Sequence, residues 1–162
     1  MPDQKALKTA KSQAFKHLSC RDRSKKEVAL YLEKRGHTPP VIQTTLQELE
    51  KLNYINDHRF AMEWGRWRVE VKRFGKKRLQ HELLAKGISS SLIKTALTNL
   101  YDSHPEQDLA LACANKKLAS LHELEPKKKL RRLIQYLQRR GFSQDIIYET
   151  LRVSTTSPLD QD

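Results

Sequence analysis

The stretch Gly75–Ala112, GKKRLQHELLAKGISSSLIKTALTNLYDSHPEQDLALA, decides the fold. Displaced back by 51 positions, the spacing from Gly36 to Gly87, it lies on the earlier chain without a gap. Leu79 falls on Val28, Leu83 on Leu32, Gly87 on Gly36, Ile93 on Ile42 and Leu97 on Leu46. Leu100 falls on Leu49, Asp108 on Asp57 and Ala112 on Ala61. Displaced forward by 54, the spacing from Gly87 to Gly141, it meets Leu133, Leu137, Gly141, Ile146, Ile147 and Leu151. Any helical protein has leucines at helical spacing, but here the helix breaks and caps recur in register as well. A shared period of this size marks stacked supersecondary repeats that bury their apolar faces against neighbours. The expected fold is therefore all-α: tandem three-helix repeats in an elongated, curved array.

The 162 residues fit one compact domain or a short array. Apolar residues make up 38%, charged residues 31%, and there are 5 Gly and 6 Pro, which suits helices with wet outer faces. No apolar run reaches the roughly 20 residues of a membrane span, and MPDQKALKTAK lacks the apolar stretch of a signal peptide. The cytoplasm is the expected location, with no membrane partner. Cys20 and Cys113 match no zinc or redox spacing and read as free thiols. The net charge of +12 favours nucleic acid or a nucleoprotein surface as partner.

Leu7, Ala10, Ala14 and Leu18 predict an amphipathic helix over Lys5–Leu18. Ser24-Lys25-Lys26-Glu27 has the form of a capping box. Its helix ends at Lys34-Arg35-Gly36, where glycine tolerates the left-handed residue beyond the last turn and cations suit the negative helix end. Thr38-Pro39 restarts the chain, Asn53 is a second stop, and Asn56-Asp57 caps a third helix. On that helix Phe60, Trp64, Trp67 and Val71 share one face. Their periodicity favours core packing over the competing reading, base stacking by exposed tryptophans. Lys86-Gly87 and Arg139-Arg140-Gly141 repeat the cationic stop, Ser89–Ser91 and Ser143 offer caps, and Leu130, Leu133, Ile134 and Leu137 are expected to face inward. The resulting division is a capping helix at 1–23, full repeats at 24–72 and 73–122, a truncated repeat at 123–153, and a polar, disordered tail at 154–162.

Nucleotide-binding, zinc-protease and nucleophile-elbow motifs are all missing, and the six histidines are scattered. A non-enzymatic protein without cofactor or metal is expected. The charge pattern carries more. The run Lys72, Arg73, Lys76, Lys77 and Arg78 lies at the junction of the first two repeats. Further on, Lys128, Arg132, Gln135 and Arg139 form a ridge on a segment without acids from Lys127 to Gln144, and Arg140 is a further basic candidate there. Such groups bind phosphates as point charges or planar forks. A solvated helix face would explain any one of them; the set favours a binding surface.

In order along the chain stand Arg23-Ser24 with Glu27, Lys34-Arg35-Gly36, and Tyr54-Ile55-Asn56-Asp57 with Phe60-Ala61. Then come Gly75 with Glu82-Leu83, Lys86-Gly87-Ile88, and Arg139-Arg140-Gly141-Phe142-Ser143. This series resembles the RecX family, bacterial regulators of the RecA recombinase, over roughly Ala10 to Val153. Departures are Leu52-Asn53-Tyr54, where the family commonly shows Gly before the aromatic, and Asn56, where an acid is usual. The resemblance implies tandem three-helix repeats that bind along the groove of the RecA–DNA filament. It also implies inhibition of strand exchange, ATP hydrolysis and co-protease activity. The residues alone imply a basic helical repeat protein for a polyanionic or nucleoprotein surface. The expected partners are the RecA filament and, directly, single- or double-stranded DNA, with this chain as a monomer. A sequence-independent DNA-binding protein is the alternative.

Overall fold

The computed structural model describes residues 3–155, and these are helical with no strand. The helices are α1 (Gln4–Leu18), α2 (Lys25–Lys34), α3 (Pro39–Lys51), α4 (Asp57–Glu70), α5 (Lys76–Ala85), α6 (Ser90–Ser103), α7 (Glu106–Ala119), α8 (Pro126–Arg140) and α9 (Gln144–Thr155). Two compact units share the chain. One holds the residues up to Glu63 with Leu83–Ile93; the other holds Trp64–Glu82 and the residues from Lys94 on.

In the first unit α1, α2 and α3 close on Ala10, Ala14, Val28, Leu32, Val41, Leu46, Leu49 and Ile55. The expected capping box is present. Ser24 accepts from the Glu27 amide, and the Glu27 carboxylate accepts from the Ser24 amide. Gly36 and Asn53 both take the left-handed conformation, at φ 83° and 59°. Asn56 Oδ1 accepts from the Arg59 amide and so starts α4. Each stop was readable because the chemistry that ends or starts a helix is local.

The second unit has its main cluster at Ala110, Cys113, Ala114, Leu133, Leu137, Phe142 and Ile147, contributed by α7, α8 and α9. Val69, Leu79 and Leu100 are buried as well. The Tyr101 hydroxyl donates to Phe74 O at 2.6 Å, and burial raises its pKa. Both cysteines are free, Cys20 exposed and Cys113 buried.

Two core expectations fail. Trp67 is 46% exposed and Val71 57%, so Phe60, Trp64, Trp67 and Val71 do not form the core face of α4. The buried face runs through Phe60, Ala61, Gly65 and Val69. Gly65 is the cause: a Cβ there would overlap the Leu100 side chain and touch Leu79 Cδ2 at 3.4 Å. The missing side chain lets α5 and α6 residues approach that face, and Trp67 and Val71 lie outside it while Trp64 is half-buried at its edge. Leu130 is 45% exposed; it precedes the turns of α8 that Leu133 and Leu137 bury. Of the expected tail, Ser154 and Thr155 belong to α9, and 156–162 lie outside the described residues.

Glu27 ties the first unit together. Its Oε1 meets Lys86 Nζ at 2.6 Å and Arg21 Nη2 at 3.0 Å. Burial alone would raise its pKa, but these two cations and the Ser24 amide outweigh it and hold the carboxyl at about 2, below the ordinary 4.5. A depressed pKa stabilises the fold above the unfolded value, and that stability is lost as pH falls through the folded one. Melting midpoints measured between pH 4.5 and 2 should therefore fall more steeply for the parent than for Glu27→Gln. Parallel slopes would show that Glu27 is not clamped.

Candidate functional site

The N-terminus of α5 and the C-terminus of α8 meet in the second unit, and this junction builds the site. A helix leaves its first four N–H groups and last four carbonyls without helical partners. Here Gly75, just before α5, and Gly141, just after α8, each take one of the backbone bonds that join the two ends. Gly75 N–H donates to Arg140 O at 2.8 Å and Lys77 N–H to Gly141 O at 3.2 Å. Lys76 N–H donates to the Glu106 carboxylate at 2.9 Å. Arg78 Nη1 reaches Arg139 O at 2.9 Å, and Arg140 Nη1 donates to Lys72 O. The crossing needs two glycines. A Cβ on Gly75 would stand 2.6 Å from Phe142 N, and one on Gly141 would stand 2.9 Å from Arg78 Cα. Gly141 is also the left-handed residue that ends α8, at φ 87°.

The first unit makes the same joint one period earlier. Ser24 Oγ donates to Lys86 O at 2.7 Å and Lys26 Nζ to Ala85 O at 3.2 Å. Lys25 N–H donates to the Asp57 carboxylate at 2.8 Å, as Lys76 N–H does to Glu106.

The junction brings together sequence stretches that carry separate basic runs. Lys72, Arg73, Lys76, Lys77 and Arg78 are exposed, and Arg139 is exposed beside them. Arg140 is half-buried; its guanidinium serves Lys72 O and lies 5.1 Å from the Tyr136 ring centroid. It holds the surface in place more than it presents charge. Arg78 stacks on Phe74 at 3.9 Å, and its Nε lies 3.6 Å from Glu82 Oε1. Lys128 and Arg132 are exposed farther back along α8. Eleven residues at about 1.5 Å each put Lys128 roughly 16 Å from Arg139 along the axis. Lys128 also lies 3.8 Å from Glu125.

Three residues of the site were not read from the sequence. Arg68 sits between tryptophans, 4.2 Å from the Trp64 centroid and 4.8 Å from that of Trp67. Its Nε donates to Glu82 Oε2 at 2.6 Å, and Trp64 Nε1 donates to the same oxygen at 3.1 Å. Glu82 thus organises Trp64, Arg68 and Arg78. Its position four residues after Arg78 was the available signal. Glu106, the cap of α5, lies 30 residues away and gave none. Among the described residues no group of His, Cys, Asp or Glu could hold a metal ion. No helix there is long and apolar enough to cross a membrane.

Fold and site define a tandem three-helix repeat protein with exposed cations at the α5–α8 joint. Sequence models of three successive parts of one family match it: "RecX, first three-helix domain" at residues 10–49, the second at 56–97 and the third at 105–151. The chain is 34% identical over 149 residues to Regulatory protein RecX of Pelodictyon phaeoclathratiforme, covering 92% of this chain and 91% of that one. It is 36% identical over 138 residues to that of Chlorobium phaeobacteroides, covering 85% and 88%. The crystal structure of RecX from Lactobacillus salivarius superposes with a TM-score of 0.81 at 25% identity, over 92% of this chain and 96% of that one. The chain belongs to the RecX family. The family matches frame the helices as α1–α3, α4–α6 and α7–α9; boundaries at 24–72, 73–122 and 123–153 cut the same series one helix later.

The three left-handed glycines rank the joint. A Cβ at Gly36 would meet nothing within 4 Å, so Gly36→Ala should lose only about 1–2 kcal/mol, the left-handed penalty. At Gly87 a Cβ meets the Lys26 side chain, 2.6 Å from its Cδ, which can partly move aside. At Gly141 it meets backbone, so Gly141→Ala should lose about 1–3 kcal/mol more than Gly36→Ala. Urea denaturation of the three variants should give the order Gly36, Gly87, Gly141. Equal losses at Gly36 and Gly141 would mean that the joint is loose.

Proposed function

We propose that this chain regulates the RecA recombinase, mainly negatively. It binds the RecA–DNA filament and lowers strand exchange, ATP hydrolysis and co-protease activity, and so acts in recombination, DNA repair and the SOS response. It does so as a cytoplasmic monomer without catalysis of its own. The observation that carries this reading is the run of three RecX domain matches along the chain.

The geometry supplies a physical basis. Lys72, Arg73, Lys76, Lys77, Arg78 and Arg139 are exposed cations at the α5–α8 joint, and Lys128 and Arg132 are exposed on the same helix as Arg139. Such a set suits the phosphates of a nucleoprotein filament. Several weak contacts along a repeating polymer add by avidity. The exposed cations equally suit bare DNA, and a sequence-independent DNA-binding protein is the second reading.

DNA-stimulated ATP hydrolysis by RecA separates the two at one fixed salt concentration. The parent chain should slow it. Reversing both Arg132 and Arg139 to Glu should leave the melting temperature nearly unchanged, because exposed charges add little stability. Inhibition should then fall by more than affinity for bare DNA does. If both fall together, and the salt dependence flattens by about 0.9 per lost contact on duplex, the second reading holds. A parent chain that leaves RecA's rate, assembly and disassembly unchanged would overturn the regulator reading.

A further inference from the structure

We infer that Trp67 is a stacking platform for an unpaired base of single-stranded DNA, set at the edge of the cationic surface. This rests on the filament reading and adds the ligand of one part of that surface. Trp67 is 46% exposed, and Val71, one turn on, is 57% exposed. An indole left that open leaves a wide apolar surface in water, which singles it out among the aromatic residues of the site. The Arg68 guanidinium lies 4.8 Å from its centroid, and Arg68 is itself fixed by its 2.6 Å bond to Glu82 and its stack on Trp64. The ring plane is therefore braced before any ligand arrives. Lys72 Nζ stands 5.0 Å from the same centroid. Its long, flexible stem can carry the ammonium from the indole to a phosphate as a base takes its place.

Charge decides the occupant. Lys72, Arg73, Lys76 and Lys77 follow as exposed cations on either side of buried Phe74 and Gly75, so a cationic protein side chain approaching Trp67 would be repelled. A nucleotide is attracted through its phosphate and stacks through its base, a combination that is tolerant of sequence. The acids nearest on α4 are Glu63 and Glu70, and Glu70 is turned to His104 at 3.7 Å. A duplex hides its base faces and would not engage the indole, so the site selects single strands.

The test uses the full chain, oligo(dT), and an oligomer of the same length with an abasic backbone. Trp64 and Trp67 are the only tryptophans, so Trp64→Phe leaves Trp67 as the sole indole reporter. Oligo(dT) should quench its fluorescence, and the abasic oligomer should not. By anisotropy, Trp67→Ala should weaken oligo(dT) binding about tenfold, the scale of one lost base stack, and leave abasic binding and the salt slope unchanged. Circular dichroism checks that each variant folds. If parent and Trp67→Ala bind oligo(dT) equally, or the abasic oligomer quenches as well, the inference is overturned. Slowing of RecA by the parent chain without oligo(dT) quenching sinks this inference and leaves the filament reading standing. Quenching without any effect on RecA does the reverse.

Discussion

The joint between one helix's first turn and another's last turn is the constraint on which the second unit and its surface depend. The Gly75 amide, just before α5, donates to the last carbonyl of α8, and the Lys77 amide of α5 donates to Gly141 O just beyond α8, with Gly75 and Gly141 leaving no side chain between them. The interaction is directional. The positive end of one helix macrodipole faces the negative end of another, and each offsets a field that would otherwise face water alone. The first unit joins the corresponding helix ends through side chains, with Ser24 Oγ and Lys26 Nζ donating to the carbonyls of Lys86 and Ala85. Apolar stripes alone would tolerate sliding; paired helix ends do not.

The joint also explains how so many cations stand at one place. Lys76, Lys77 and Arg78 occupy the first turn of α5, where positive charge is unfavourable to the helix. Carbonyls of Arg139, Arg140 and Gly141 face that turn, Glu106 caps it, and Glu82 pairs with Arg78. With the helix end neutralised from inside the protein, the lysine side chains remain directed to solvent. Aromatic rings brace the arginines: Phe74 under Arg78, Tyr136 under Arg140, and Trp64 and Trp67 about Arg68. Cations held in this way lose less freedom on meeting a phosphate than solvated side chains would.

Much of this was legible in the sequence wherever the cause was local. Ser24 with Glu27, Gly36, Asn53, Asn56 and Gly141 end or start helices through their own side chains or the lack of one, and each does so in the structure. The members of both basic runs were readable too, but not that they meet. Arg140 and Lys72 are 68 residues apart, and no periodicity encodes their contact. The tryptophan face of α4 was misread for a related reason. Helical spacing gives two plausible stripes, and the choice between them lies in what approaches Gly65 from α5 and α6. Arg73, left-handed at φ 51°, is likewise imposed by its surroundings, since nothing in its side chain favours that conformation.

If the joint unites residues 72–78 and 128–140, the two stretches meet a partner as one surface. Amide hydrogen exchange of the full chain, free and bound to the RecA–DNA filament, tests it most directly. Binding should slow exchange in both stretches together, and both protections should weaken in Gly141→Ala. Protection of one stretch with the other unchanged would contradict it.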